Sequence, residues 1–218
     1  MEPGTSGRRA RHGVGERARG FSLVEVLISI IILSIGLLGM VALQAAALQG
    51  NRSARVQSVA VTLARELADM LRGNKDVAIL GTFAENPYLG DFSAKPLVPR
   101  TKSNCLNPGN SCPFNPLDPL PGQTEVAAAQ MTDWLARVDQ GLPGARVVVC
   151  FDDSPFDPAT GLPRWGCNPG KDATMMIKIG WTQDSTDHSG NSATPLERAT
   201  GATSRPSLVL PVTPGNEK

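Results

Sequence analysis

From Phe21 to Leu43 the chain is apolar on every face and carries a single charge, Glu25; from Val26 to Leu43 there is none. About 20 apolar residues at 1.5 Å rise each cross a hydrocarbon core of ~30 Å, so this run predicts one membrane helix. The competing reading, a buried helix of a soluble protein, asks a core helix to keep all its faces apolar for an unusual length. After Leu43 the pattern turns amphipathic. Val56, Val59, Ala60, Leu63, Leu67, Met70 and Leu71 fall at helical spacing, while Arg52, Arg55, Arg65, Glu66, Asp69 and Arg72 fill the other faces. Gly73-Asn74, with Arg72 in the turn before, is a stop signal. One helix from about Phe21 to Arg72 would be roughly 75–80 Å long, greasy all round in its first half and striped in its second. Gly36 and Gly39 each weaken it by about 1 kcal/mol relative to Ala and mark a place to bend or to admit a neighbour.

Residues 74–123 read as irregular, because Asn86-Pro87, Asn107-Pro108-Gly109-Asn110, Asn115-Pro116, Asp118-Pro119 and Pro121-Gly122 follow in close succession. Helical spacing returns from Thr124 to about Gln140, with Ala127, Met131, Trp134, Leu135 and Val138 on one face and Gly141 to end it. Trp134 is read as a core anchor. Three strands follow, at 145–151, 174–181 and 206–211. In the second, Met175, Ile177 and Ile179 alternate with Met176, Lys178 and Gly180. Strands joined by loops argue an antiparallel sheet with one face on the stripe of the long helix. The fold class is therefore α+β: a long N-terminal helix packed on an antiparallel sheet, in a loop-rich C-terminal domain.

Charge sets the orientation. Arg8, Arg9, Arg11, Arg17 and Arg19 precede the apolar run against only Glu2 and Glu16, and after the run the chain is neutral until Arg52. Positive charge stays cytoplasmic, so the N-terminus faces in and the bulk of the chain is translocated. A secretory signal peptide shares the basic start; Ala45-Ala46-Ala47 imitates its cleavage site, but its apolar centre is shorter. Of the 218 residues, about 160 lie beyond roughly the first 55, enough for one globular domain with a core. The net charge is +1, and without the five Arg and two Glu of residues 1–20 it falls to near −2. No basic nucleic-acid face is indicated. Twenty-two Gly and 18 Pro suit a loop-rich domain.

The four cysteines all lie on the translocated side, where an oxidising compartment favours disulfides. Cys105 and Cys112 would staple a Pro/Asn/Gly loop; Cys150 and Cys167 bracket the connection between the first two strands. These are the simplest pairings, and the sequence does not choose among the three that four cysteines allow. With no C-x-x-C pair and no nearby His, metal binding by the cysteines is not expected.

Glu25 is the odd residue. A carboxylate in a membrane segment costs about 2.5–3.5 kcal/mol at the helix centre and less near the interface. Arg19, six residues back, is beyond i, i+4 reach. One reading leaves Glu25 at headgroup level. The other supplies a partner by processing: a cut before Phe21 creates a cationic α-amine four residues away, in the same chain or a neighbour.

Gly20-Phe21-Ser22-Leu23-Val24-Glu25 followed by a long apolar helix resembles the class III signal of type IV prepilins and type II pseudopilins. The resemblance covers about the first 50 residues. It implies cleavage between Gly20 and Phe21 by a prepilin peptidase on the cytoplasmic face, N-methylation of Phe21, and assembly through Glu25. It divides the chain into a leader (1–20), a long helix (21–73, with 21–43 transmembrane) and a globular domain (74–218). The leader is longer than many; an initiation codon at Val14 would shorten it to seven residues. The apolar segment also lacks the Pro common in major pilins. Trp134-Leu135 before Leu142-Pro143-Gly144, together with a strand ending in Trp181, is similar to the minor pilins called type IV pilus modification protein PilV.

That resemblance implies a non-enzymatic minor pilin that helps initiate pilus assembly at the tip. Its partners would be the prepilin peptidase, other minor pilins, the major pilin and inner-membrane lipid, with no cofactor, metal or nucleic acid. It would sit single-pass in the inner membrane, its domain periplasmic, and then in the pilus at the cell surface. A type II secretion pseudopilin and a ligand- or DNA-binding minor pilin are the alternatives. Two oxygen-rich loops, 152–157 and 184–189, offer calcium-type donors but lack the Gly position and bidentate Glu of a calcium loop, and read as solvated turns. His188 beside Asp187 and Ser189 superficially offers hydrolase parts, without a nucleophile elbow or an oxyanion hole.

Overall fold

The computed structural model describes residues 20–97, 122–171, 173–184, 196–201 and 203–215. The chain divides into two compact units, residues 1–49 and 50–218. Helix α1, Leu23–Gly73, begins in the first and ends in the second. In the first unit every described residue is exposed, and the helix there packs on no other described residue.

The second unit begins with the amphipathic half of α1, whose buried residues are Ala60, Leu63, Ala64, Leu67, Ala68 and Leu71. They repeat every three or four positions, the spacing that keeps one face of a helix on a core. A short helix α2, Lys75–Ala78, and a strand β1, Gly90–Phe92, follow. Both lie in a stretch expected to be irregular. Three residues between turn signals carry no legible period, and β1 exists because its backbone pairs with a neighbouring strand. Helix α3 runs Gln123–Gly141. It starts at Gly122, whose φ of +85° suits glycine, and the Glu125 carboxylate reaches back to accept the Gly122 N–H at 3.0 Å.

Strands β2 (Arg146–Asp152), β3 (Thr174–Gly180) and β6 (Leu208–Val212) complete a four-stranded antiparallel sheet in the order β1-β2-β3-β6. The three expected strands are thus four in this sheet, with shifted ends. A separate two-stranded ribbon pairs β4, Gln183–Asp184, with β5, Leu196–Glu197. Pro211 sits in β6, an edge strand, where a missing N–H is tolerated.

One face of the sheet (Val147, Val149, Met175, Ile177, Ile179 and Val212) joins the stripe of α1 and the apolar face of α3 in a single core. Trp134 is fully buried in it, and its indole Nε1–H donates to the Leu63 carbonyl oxygen at 2.9 Å. Arg137 of α3 meets Glu66 of α1 at 2.5 Å on the rim of the same contact.

The other face of the sheet is covered as well. Val148, Cys150, Asp152 and Lys178 all point to that side, and all are buried. The cover is the β2–β3 connection, closed by a disulfide between Cys150 and Cys167. Cys105 and Cys112 lie outside the described residues.

Candidate functional site

The segment singled out by sequence is the start of α1. Gly20, Phe21 and Ser22 precede the helix; its first turn forms when the Ser22 carbonyl accepts the N–H groups of Glu25 at 3.0 Å and Val26 at 3.2 Å. Glu25 therefore sits in the first turn, where the positive end of the helix dipole favours a carboxylate. Its side chain is exposed and makes no ion pair among the described residues. Phe21, one turn away in sequence, is 83% exposed.

Beyond Glu25 the helix prepares itself for a medium without water. Ser29 Oγ donates to the Glu25 carbonyl and Ser34 Oγ to the Ile30 carbonyl, each at 2.7 Å. Hydroxyls bonded back onto their own helix carry no unmet donor into hydrocarbon. Leu27, Ile28, Ile31, Leu38, Val41 and Leu48 are all exposed, and the helix is long and apolar enough to cross a membrane. An unpartnered apolar surface of this extent marks an interaction with lipid or with other chains.

The domain holds a second polar constellation that sequence reading missed. Lys178, on the alternate positions of β3, is fully buried, and so is Asp152 at the end of β2. Lys178 Nζ donates to Asp152 Oδ2 at 2.6 Å and to the Gly166 carbonyl at 2.7 Å. Asp152 Oδ1 accepts the backbone N–H groups of Ser154 at 3.0 Å and Asn168 at 3.1 Å. Burial pushes the Asp152 carboxyl up; the bonds from Lys178, Ser154 and Asn168 outweigh it and hold the group below its ordinary range.

Around this pair the loop is tied down by its own polar groups. Asp153 N–H donates to Asn168 O at 3.0 Å, and the Arg164 guanidinium binds Ser154 O at 2.8 Å and Ser154 Oγ at 2.6 Å. The Trp165 ring lies over Gly180 and receives the Arg146 guanidinium 4.5 Å above its centroid. Arg146 also makes a two-bond pair with Asp91 of β1, at 2.7 and 3.1 Å.

The loop expected to be a solvated turn is therefore a structural layer. Asp152 is engaged by Lys178, Asp153 by Ser154 and Asn168, and Asp157 by the N–H groups of Ala159 and Thr160. Those two N–H groups hold the Asp157 carboxyl below its ordinary range. Among the described residues no three His, Cys, Asp or Glu side chains gather as metal ligands. Of the second oxygen-rich loop, Asp187, His188 and Ser189 lie outside the described residues. One signal for the covered face was present: Val147-Val148-Val149-Cys150-Phe151 is apolar at consecutive positions, the mark of a strand buried on both sides.

The family model of the prokaryotic N-terminal methylation motif matches residues 16–41. No curated protein and no solved structure matches the chain. The matched segment ends inside the exposed apolar helix and contains Gly20, Phe21 and Glu25. Motif, helix and antiparallel sheet support a type IV pilin-like protein, a pilin or a pseudopilin. The motif suggests a structural rather than an enzymatic role and is consistent with processing by a prepilin peptidase and assembly with other pilins. The helix is compatible with single-pass anchoring in the inner membrane.

Proposed function

We propose that this protein is a minor pilin that inserts in the inner membrane and takes part in initiating type IV pilus assembly at the tip. Its leader, residues 1–20, is removed between Gly20 and Phe21, and Phe21 is N-methylated. The Glu25 carboxylate then pairs with a Phe21-type α-amine as the helix joins its neighbours. The domain, residues 74–218, faces the periplasm and later the exterior. The observation that carries the reading is the placement of Glu25: a lone carboxylate without an ion pair among the described residues, at the head of an exposed apolar helix, inside a methylation motif. The α3 helix bearing Trp134, followed by β2 and by β3 running into Trp181, supports a PilV-like subunit.

Intact mass and N-terminal analysis of the protein from its native membrane tests the processing. A chain beginning at methylated Phe21 is expected. One beginning near residue 48, or at Met1 in cells with active peptidase, removes the pilin reading. Glu25→Ala then tests assembly: cleavage persists and pilus number falls. Unchanged pili with failed protein secretion would move the subunit to the type II machine, and no change in either would remove the pairing role.

A further inference from the structure

The cover over the outer face of the sheet combines three features. It seals a fully buried ion pair, Asp152–Lys178. It is joined to the sheet covalently through Cys150 and Cys167, 17 positions apart in sequence. Cys150 is buried beneath it, whereas Cys167 is exposed at its margin.

Burying two charges forfeits their hydration, and here that loss is offset by bonds that exist only while the loop is closed: Lys178 to Asp152 and to the Gly166 carbonyl, and Asp152 to the Ser154 and Asn168 N–H groups. Lifting the cover restores water to both ions. The open state is therefore solvated rather than left with unmet charges, and the disulfide limits it by keeping Cys167 and the adjoining Gly166 carbonyl over Lys178. A cross-link closing a loop of this length shifts such an equilibrium by on the order of a hundredfold.

We propose that Cys150–Cys167 is a redox latch: oxidised, it holds the 153–167 loop closed over Lys178; reduced, it lets the loop lift and exposes the Lys178 amine and the outer face of β2 and β3. Reduction by a dithiol breaks the S–S bond with two electrons and two protons, leaving a thiol on each cysteine and the dithiol as its own disulfide. Cys167, the exposed residue of the two, offers the point of attack. The latch makes the surface that the domain presents conditional on its having met an oxidising compartment, whichever machine the subunit joins.

The test uses full-length protein in detergent micelles: oxidised, treated with dithiothreitol, and as the Cys150→Ser/Cys167→Ser variant, which isolates this bond from any other. Acylation of Lys178 by an amine reagent and amide hydrogen exchange of residues 153–168 are read by mass spectrometry. Lys178 is expected to react at least about tenfold faster in the reduced protein and in the variant, a conservative share of the loop-closure effect. Exchange at 153–168 rises in parallel, while α3 and β3 keep their protection. A Lys178 that stays unreactive without the disulfide overturns the latch. So does loss of protection throughout α3 and β3, which is unfolding.

Discussion

Lys178→Met isolates what the buried ion pair does for stability. Lys178 and Asp152 are both fully buried, so neither is rescued by solvent when its partner goes. Methionine fills most of the lysine stem and removes only the ammonium, with its bonds to Asp152 Oδ2 and to the Gly166 carbonyl. Asp152 keeps the N–H groups of Ser154 and Asn168. Breaking a buried pair by removing one member costs about 3–5 kcal/mol, and the two remaining bonds favour the lower end. For a chain of this size each kcal/mol lowers Tm by about 2–4 °C, so a fall of roughly 6–12 °C is expected for a loss near 3 kcal/mol. Adding Asp152→Asn removes the stranded charge and should recover most of that loss, since a neutral pair is often no worse than an ionic one. Differential scanning calorimetry of the two variants beside the wild type, all oxidised and in the same detergent, reads both changes. A single variant within about 2 °C of wild type, under the same scaling, would show that water reaches the pair. A double variant as unstable as the single would show that shape, not charge, is at stake. The pH dependence follows with a definite sign. The Asp152 carboxyl is held below its ordinary value of 3.8, so its contribution is complete above that value and is lost as pH falls through and below it. Wild type should lose this part of its stability on acidification, and the double variant should lack that loss.

Three further predictions rest on other sites. Tyr88 is the chain's one tyrosine and is fully buried, its hydroxyl 2.5 Å from Gln130 Oε1. Burial raises its phenol to about 12, against a smaller opposing effect from Asn74. Its stabilisation is present below the ordinary value of 10.0 and is lost as pH rises through 12, so ultraviolet titration should show a phenolate transition near the higher value; a midpoint at 10 in the folded protein refutes the burial. Gly180→Ala would place a Cβ 2.9 Å from Trp165 ring carbons, an overlap expected to cost about 1–3 kcal/mol in denaturant unfolding, and an unchanged midpoint would show that the ring is free to move. Trp134→Ala empties a site at the centre of the core and strips a bond from the Leu63 carbonyl, so a loss of about 3–5 kcal/mol is expected in the same assay; a loss below 1 kcal/mol would place Trp134 elsewhere.

What the sequence determined by itself was everything written in a local period. The uniform run of 21–43, the stripe from Val56 to Leu71 and the face of α3 through Trp134 each repeat at the helical spacing, so their form and their inward side were legible before any partner was known. The strands at β2, β3 and β6 were legible for the same reason, within a residue or two at their ends. The methylation motif is also local, since it needs only Gly20, Phe21 and Glu25 at fixed offsets before an apolar run. What only the tertiary structure decided was whatever depends on a second segment arriving from elsewhere. β1 is a strand because Gly90, Asp91 and Phe92 pair with Val149, Val148 and Val147, more than 50 positions away. Lys178 looked like the polar side of an alternating strand; it is interior because the aperiodic loop 153–167 folds back over it. Alternation reports which side of the sheet a residue is on. Whether that side meets water is decided by long-range covalent and ionic ties, and here Cys150–Cys167 and Asp152–Lys178 decide it.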